Sequence, residues 1–363
     1  MIMRKGEIIN GYRILEDFKV AGGMSKISFA ERGGKEFFIK EFLYPKYPTP
    51  DSPGSERTKA QKRKACEAFE KHHRELNSLI ATKVSLGGNL VYAIDFFREG
   101  SAYYKVNEKV DTSSLSLKEI SSLPEKSINI IARSVCHSVG ILHDLGIVHG
   151  DLKPENILIK QTMRDAFTGK LIDFDDSYFT QRPPADRECI VGTPEYYSPE
   201  LAAYLMDEDE EISGETLTLA SDVFTLGIIL CEYFTGEKPK TGTDMPTWLA
   251  VEKGKDLSFE KSLNPEIESM LRSMLAKTPT DRPTIKKVQN TLREVKDGKG
   301  SGTSPTPTPI PTKIGHVGLR GKGLEVAPSP STKDIPKKPE EDSVKIEVPK
   351  KVGLRGKGLN IKD

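Results

Sequence analysis

This chain is poor in tryptophan and cysteine, carries almost no net charge and has no long apolar run. Its 363 residues include one tryptophan, Trp248, and four cysteines. Cys66, Cys136, Cys189 and Cys231 are far apart and show no metal-ligand spacing. They read as small buried apolar residues rather than disulfide partners, which suits a reducing compartment. Lysine and arginine number 54 against 53 aspartates and glutamates, a net charge of +1, so no bulk field points to nucleic acid or to an anionic membrane. The longest apolar region, near Val223 to Leu230, is interrupted by Thr225 and Gly227. It falls short of the roughly 20 apolar residues that a membrane span needs. Met1 to Glu7 hold no apolar core of signal-peptide length. These absences lead to the expectation of a cytoplasmic protein with no membrane span and no nucleic-acid partner.

The composition changes at about Asp297. From Gly298 to Asp363 there is no Phe, Tyr or Trp, and Pro, Gly, Thr, Ser and Lys dominate. Such a segment buries too little apolar surface to offset chain entropy, so residues 297–363 are expected to be a disordered tail. Ser304 to Pro309 alternates Ser or Thr with Pro, the pattern of a polyproline-II spacer. Val317 to Leu324 recurs unchanged at Val352 to Leu359. Two copies of one short motif on a flexible tether suit docking to a two-site partner by avidity; the plainer alternative is a duplication without function.

Upstream, the first part is β-rich. Gly11 to Leu15, Ile27 to Ala30, Glu36 to Phe42, Leu90 to Phe97 and Ala102 to Val110 read as strands. Tyr44 to Ser55 holds four prolines and reads as an irregular loop. A helix is expected over Lys59 to about Thr82, where Phe69, Leu76, Leu79 and Ile80 fall near helical spacing. Further on, Ile128, Ile131, Val135, Val139 and Leu142 form an apolar stripe that Gly146 would cap. A β-rich segment followed by a helical one predicts an α+β protein of two lobes with a cleft between them.

The densest chemistry lies in His149-Gly150-Asp151-Leu152-Lys153-Pro154-Glu155-Asn156, followed by Leu171-Ile172-Asp173-Phe174-Asp175. A carboxylate, an ammonium, a carboxamide and a second carboxylate stand at a spacing that suits phosphoryl transfer from ATP, which is catalysed mostly by positioning and electrostatics. Asp151 is suited to orient and deprotonate a hydroxyl, and Lys153 to neutralise charge on the moving phosphoryl group. Asn156 and Asp173 are suited to hold a divalent metal against the nucleotide phosphates.

With the other motifs in order along Gly11 to Val295, the chain resembles the eukaryotic-like (bacterial) serine/threonine protein kinases, in a form without a membrane span. The resemblance implies a bilobal protein-kinase-like fold over residues 11–296, with a β-rich N-lobe (11–110) and a helical C-lobe (111–296). It implies ATP with Mg2+ or Mn2+ as cofactors, protein hydroxyls as substrates and autophosphorylation in intracellular signalling. Val20, Gly22, Gly23, Met24, Ser25 and Ile27 resemble the glycine-rich loop over the phosphates, although only the middle family glycine is kept, as Gly22. Lys40 matches the strand lysine that binds the α- and β-phosphates. Glu75 matches the helix glutamate that pairs with that lysine; the long spacing implies an insertion, and Glu67 and Glu70 compete for the role. Glu108 and Val110 stand at the hinge that bonds adenine, with Asn107 as gatekeeper. Phe38 stands where the family has a small residue against the adenine ring, so a reshaped pocket is expected.

His149 reads as a structural histidine beneath the catalytic loop. Gly150 replaces an arginine that in the family binds an activation-segment phosphate, so activity is expected not to depend strongly on such phosphorylation. Asp175 replaces the glycine after Asp173-Phe174. Thr193, in the peptide-docking run Gly192 to Glu200, stands where a hydroxyl bonds the catalytic aspartate and lysine. Glu200 with Arg282, and Asp222, match scaffold residues. The Phe-Ile-Lys-Glu-Phe strand with its proline-rich insertion also looks like bacterial kinases that work with a PP2C-type phosphatase and a von Willebrand A-domain protein. Two other functions stay open: a pseudokinase scaffold, suggested by Val20, Phe38 and Asp175, and a small-molecule phosphotransferase, suggested by the His-Gly-Asp run.

Overall fold

The computed structural model describes residues 4–21, 25–83, 89–110, 113–163, 166–184, 187, 190, 192–207, 209–242 and 244–295. The tail from residue 297, with both repeats, lies outside the described residues, as do Gly22, Gly23 and Met24.

Among the described residues the N-lobe is one antiparallel sheet. Its strands are β1 (Ile8–Ile9), β2 (Tyr12–Ile14), β3 (Lys19–Ala21), β4 (Ser25–Arg32), β5 (Lys35–Phe42), β6 (Ala93–Glu99) and β7 (Ala102–Glu108). Their order is β1-β2-β4-β5-β7-β6, with β3 paired to β4. Alternation along β5 and β7 sends side chains to opposite faces. Phe37, Ile39, Tyr104 and Val106 join Tyr12, Ile14 and Phe97 in one apolar cluster. Phe38, Lys40, Lys105 and Asn107 face the other way and line a cavity. The register sets Lys40 directly opposite Lys105, and Phe38 opposite Asn107.

Helix α1 (Glu56–Lys83) lies on that second face, burying Cys66, His73, Leu76 and Ile80. Phe42, Cys66, Phe96 and Tyr103, with Phe69, form a small aromatic cluster between helix and sheet. The helix starts earlier than the periodicity predicts because the Ser55 hydroxyl accepts the Thr58 backbone N–H at 3.1 Å, an N-terminal cap. The strand expected from Leu90 begins only at Ala93. The backbone of residues 89–91 bonds to Leu171 instead, Val91 N–H donating to its carbonyl at 2.9 Å and Leu171 N–H to Asn89 at 2.8 Å. This exchange ties the sheet to the chain just before Asp173.

The C-lobe is helical: α2 (Leu117–Ser121), α3 (Glu125–His143), α4 (Pro199–Met206), α5 (Ala220–Thr235), α6 (Thr247–Glu252), α7 (Pro265–Met274) and α8 (Ile285–Glu294). The predicted stripe of α3 is buried, and Gly146 beyond its end has φ 69°. Two short antiparallel pairs, β9 (Ile157–Met163) with β10 (Ala166–Leu171) and β8 (Ile147–Val148) with β11 (Tyr178–Phe179), hold the segments on either side of the catalytic run. Every residue of α5 from Ser221 to Thr235 is buried, Asp222 and Glu232 among them, so the helix is enclosed on all sides by the lobe.

One ion pair locks this lobe. Arg282 donates to both oxygens of Glu200 at 2.6 and 2.8 Å, and to the carbonyls of Ala276, Ala220 and Lys277. Its side chain is 0% exposed, so removing one partner leaves the other charge buried and unmatched. Glu200→Gln or Arg282→Leu is expected to lower the unfolding free energy by about 3–5 kcal/mol. Urea denaturation of each variant checks this, and a loss below about 1 kcal/mol would place the pair in a solvated environment.

Candidate active site

The catalytic run is pinned from beneath. Asp222, at the start of α5, accepts the backbone N–H of His149 at 2.8 Å and of Gly150 at 3.4 Å, and bonds His143 Nε2 at 3.0 Å. His149 is fully buried, its Nε2 3.2 Å from the Ile172 carbonyl and its ring 5.2 Å from Phe174. It therefore braces the loop against the Asp173 segment and is not placed for proton transfer.

Above this base the polar side chains converge on Asp151. Lys153 Nζ donates to Asp151 Oδ2 at 2.6 Å and to Thr193 Oγ1 at 2.9 Å, and Thr193 Oγ1 donates to Asp151 Oδ1 at 2.8 Å. Asn156 Nδ2 donates to the Asp151 carbonyl at 2.8 Å and to its Oδ2 at 3.1 Å. The four residues thus form one network, with Thr193 closing it from the 192–200 segment. Chemically, a carboxylate so held can orient a hydroxyl and take its proton, with an ammonium beside it for developing negative charge.

Asn156 and Asp173 are brought together by the backbone: Ile172 N–H donates to the Asn156 carbonyl at 3.0 Å. Asp173 has φ 61°, a left-handed angle that a residue other than glycine adopts at a cost, and such strain concentrates at functional sites. The two Nδ2 bonds to Asp151 turn the Asn156 amide so that its Oδ1 points away from that carboxylate. An amide oxygen and a carboxylate are hard donors, and so incomplete a set fits Mg2+ or Mn2+ bound jointly with phosphate oxygens and water.

A cavity of about 370 Å³ lies against Asp173 and against Ile172, whose N–H bonds Asn156 of this network. Glu108 and Val110 line it at the junction of the lobes, and Lys40 and Asp173 line it beside the network. Phe38 also lines it and meets Phe29 edge-on at 6.1 Å. Sequence reasoning missed Phe29, which the register sets opposite Phe38. Asn107, the expected gatekeeper, donates to the Val91 carbonyl at 3.3 Å. Of the glycine-rich loop residues, Val20, Ser25 and Ile27 lie on β3 and β4 and do not line this cavity. Val20 is 70% exposed and Ser25 is buried, while Ile27 sits opposite Lys40, the next same-face pair after Phe29 and Phe38.

One expectation is corrected. Glu75 does not pair with Lys40; it accepts Arg182 Nη2 at 3.0 Å on the outer side of α1. The helix phase is the reason. Burial of Cys66, His73, Leu76 and Ile80 turns His73 toward the sheet, and Glu75, two residues on, falls about 200° round the axis from it. Lys40 instead donates to Asp173 Oδ1 at 2.8 Å and to Asp175 Oδ2 at 2.6 Å. Burial opposes the charge on Lys40, but the Asp175 and Asp173 carboxylates outweigh it and raise its pKa. Lys105, also missed from the sequence, donates to Asp175 Oδ1 at 2.5 Å.

The family model described as "Protein kinase domain" matches residues 56–292. The serine/threonine-protein kinase PkaA of Streptomyces coelicolor is 27% identical over 255 residues, covering 69% of this chain and 44% of the relative. The serine/threonine-protein kinase PknB of Mycolicibacterium smegmatis is 32% identical over 167 residues, 44% of this chain and 24% of the relative. Its namesake in Mycobacterium tuberculosis is 30% identical over 197 residues, 50% of this chain and 28% of the relative. The chain spans less than half the length of these relatives.

Gly150 has a specific packing role. It has φ +80°, and a Cβ built there would lie 2.2 Å from the Asp176 carbonyl oxygen. Gly150→Ala is expected to cost at least about 1–2 kcal/mol for the left-handed backbone alone, and to displace Asp176. Thermal unfolding with nucleotide binding checks both, and a variant that matches the parent in each would refute the close approach.

Proposed function

This chain belongs to the protein kinase domain family, and from that premise we propose that it is a serine/threonine protein kinase. It transfers the γ-phosphoryl group of ATP to a protein hydroxyl. The observation that carries this is the Asp151–Lys153–Thr193 triangle with Asn156. The acceptor hydroxyl takes the place of Thr193 Oγ1 against Asp151. Its oxygen bonds the γ-phosphorus as the bond to the β-phosphate oxygen breaks, and its proton passes to the Asp151 carboxylate. Lys153 offsets charge on the moving phosphoryl group. Lys40 binds the α- and β-phosphates, and backbone groups near Glu108 and Val110 hold adenine between Phe38 and the C-lobe. Asn156 and Asp173 hold Mg2+ or Mn2+, which when bound neutralises phosphate charge.

The peptide-docking run supports a protein acceptor over a small molecule: Thr193 reaches the base, and Trp248 Nε1 of α6 donates to the Pro194 carbonyl at 3.1 Å, bracing that segment. Among the described residues no helix is long and apolar enough to cross a membrane, which fits cytoplasmic signalling. The tail's Thr-Pro sites are expected autophosphorylation targets. A PP2C-type phosphatase and a von Willebrand A-domain protein are expected partners.

Labelled ATP with Mg2+ or Mn2+ tests the reading, using phosphatase-treated protein so that any dependence on prior phosphorylation is visible. Wild type should yield phosphoserine or phosphothreonine, and Asp151→Asn and Asp173→Ala should be slower by roughly 100-fold or more. Nucleotide binding without any label on protein would favour a pseudokinase scaffold or a small-molecule phosphotransferase.

The tail repeats are proposed as twin docking motifs for one two-site partner. Removing residues 317–324 or 352–359 should weaken capture of that partner by the full chain, and removing both should abolish it. Capture unchanged after the double deletion would refute the motif.

A further inference from the structure

Two lysines face each other across the sheet. Lys40 on β5 and Lys105 on β7 are directly paired in register and are 8% and 3% exposed. Like charges placed opposite each other on one face destabilise a strand pair, and a buried ammonium without a partner is costly. Asp175 resolves both problems. Its Oδ2 accepts Lys40 at 2.6 Å and its Oδ1 accepts Lys105 at 2.5 Å. With Asp173 on Lys40 at 2.8 Å, two ammoniums meet two carboxylates and the cluster is neutral.

Helix α1 contributes no carboxylate to this cluster. Its nearest offering is His73, wedged among Phe42, Phe69 and Phe96. Burial lowers the His73 pKa to about 3, so the ring is neutral beside the lysines. Glu75 is engaged with Arg182 on the outer side. The oxygens of Asp173 are the ones assigned above to metal. Once Asp173 serves that role, Asp175 is the carboxylate left to hold Lys40.

We propose that Asp175, fixed by Lys105, is the positioning residue that aims Lys40 at the nucleotide phosphates, in place of a carboxylate from α1. The inference rests on the reading of this cleft as an ATP site. The aim of Lys40 is then set within the sheet and the Asp173 segment, and displacement of α1 does not disconnect it. Residues 105 and 175 act as a pair: glycine at 175 would strand the Lys105 ammonium.

The test compares Mg·ATP affinity by calorimetry, and phosphoryl transfer as kcat and KM for ATP, in the full chain. The variants are Lys40→Met, Asp175→Asn, Lys105→Met, Asp175→Asn with Lys105→Met, Asp175→Asn with Lys40→Met, and Glu75→Gln. Thermal unfolding reports whether each is folded. Asp175→Asn should lower kcat/KM for ATP by about 100-fold, the scale of a misplaced binding group, and should weaken Mg·ATP binding. It should cause no further loss when Lys40 is already Met. The Asp175–Lys105 double variant leaves no unmatched charge at this pair, so it should regain thermal stability while staying impaired toward ATP. Glu75→Gln should change kcat/KM by less than about threefold, as for an exposed ion pair.

Recovery of ATP affinity in the double variant would overturn the proposal by making Asp175 a purely structural counter-ion. So would a Glu75→Gln defect equal to that of Lys40→Met. If wild type binds Mg·ATP but transfers no phosphoryl group, the kinase reading fails alone and the affinities still decide the role of Asp175. If wild type binds no Mg·ATP, both readings fall.

Discussion

Neutrality of a buried charge cluster is the constraint on which the cleft depends. Lys40 and Lys105 are placed side by side by the pairing of β5 with β7 and are both buried, so aqueous screening between them is weak. The carboxylates come from the chain that follows β10, so that chain has to be delivered to the sheet at a fixed height. Several bonds deliver it. Leu171 exchanges backbone bonds with residues 89 and 91, Ile172 bonds Asn156, and Phe174 packs on His149. The left-handed turn at Asp173 then points two carboxylates, at 173 and 175, to the same ammonium. A low local dielectric makes each of these contacts strong when satisfied and costly when not.

The other half of the site is held by a different kind of force. The core of the C-lobe is apolar, with α3, α5 and α7 packed through residues such as Val135, Leu226 and Leu271. The buried helix α5 brings Asp222 up beneath the catalytic loop, where it binds two backbone N–H groups that have no partner in regular structure. A close-packed core does not deform continuously, so Asp151 inherits the rigidity of α5. Asp151 and Lys40 therefore sit on separate supports, one apolar and one ionic, joined through the segment from Leu171 to Ser177.

The C-lobe half of this arrangement was legible in the sequence because its residues lie in contiguous runs. His149 to Asn156 and Gly192 to Glu200 can be recognised from their order, and the structure brings Asp151, Lys153, Asn156 and Thr193 into one network. The amphipathic stripe of α3 and the β-rich opening were readable from periodicity. What escaped was whatever depends on register between distant strands or on helix phase. Lys105 and Phe29 look like ordinary strand residues until pairing sets them opposite Lys40 and Phe38. Glu75 matches a motif, but the phase of α1 is decided by which side chains bury best, and His73 with its aromatic neighbours wins the inward position. The β9–β10 hairpin was missed because its sequence is largely polar beyond Ile159 and the middle inward position of β10 is Gly169, which hides the alternation.

The departures from the family pattern are coupled to one another through packing. Glycine at 150 lets the Asp176 carbonyl approach to a distance that any Cβ would forbid. Ser177 Oγ then donates to the His149 carbonyl at 2.9 Å, while its own carbonyl accepts His72 of α1 at 2.8 Å. Residues 175–177 are thus seated directly on the catalytic loop, and that seat is what carries the Asp175 side chain under the sheet to Lys105. A larger residue at 150 would lift the segment and pull its carboxylate from two buried ammoniums. A glycine at 175 would leave the segment seated but the lysines unmatched. An apolar residue at 105 would remove the anchor that divides the two Asp175 oxygens between two strands. The three residues thus meet in one place: Gly150 seats the segment, and Asp175 reaches Lys40 and Lys105 from it. Together they give Lys40 a local ionic clamp that takes no carboxylate from α1.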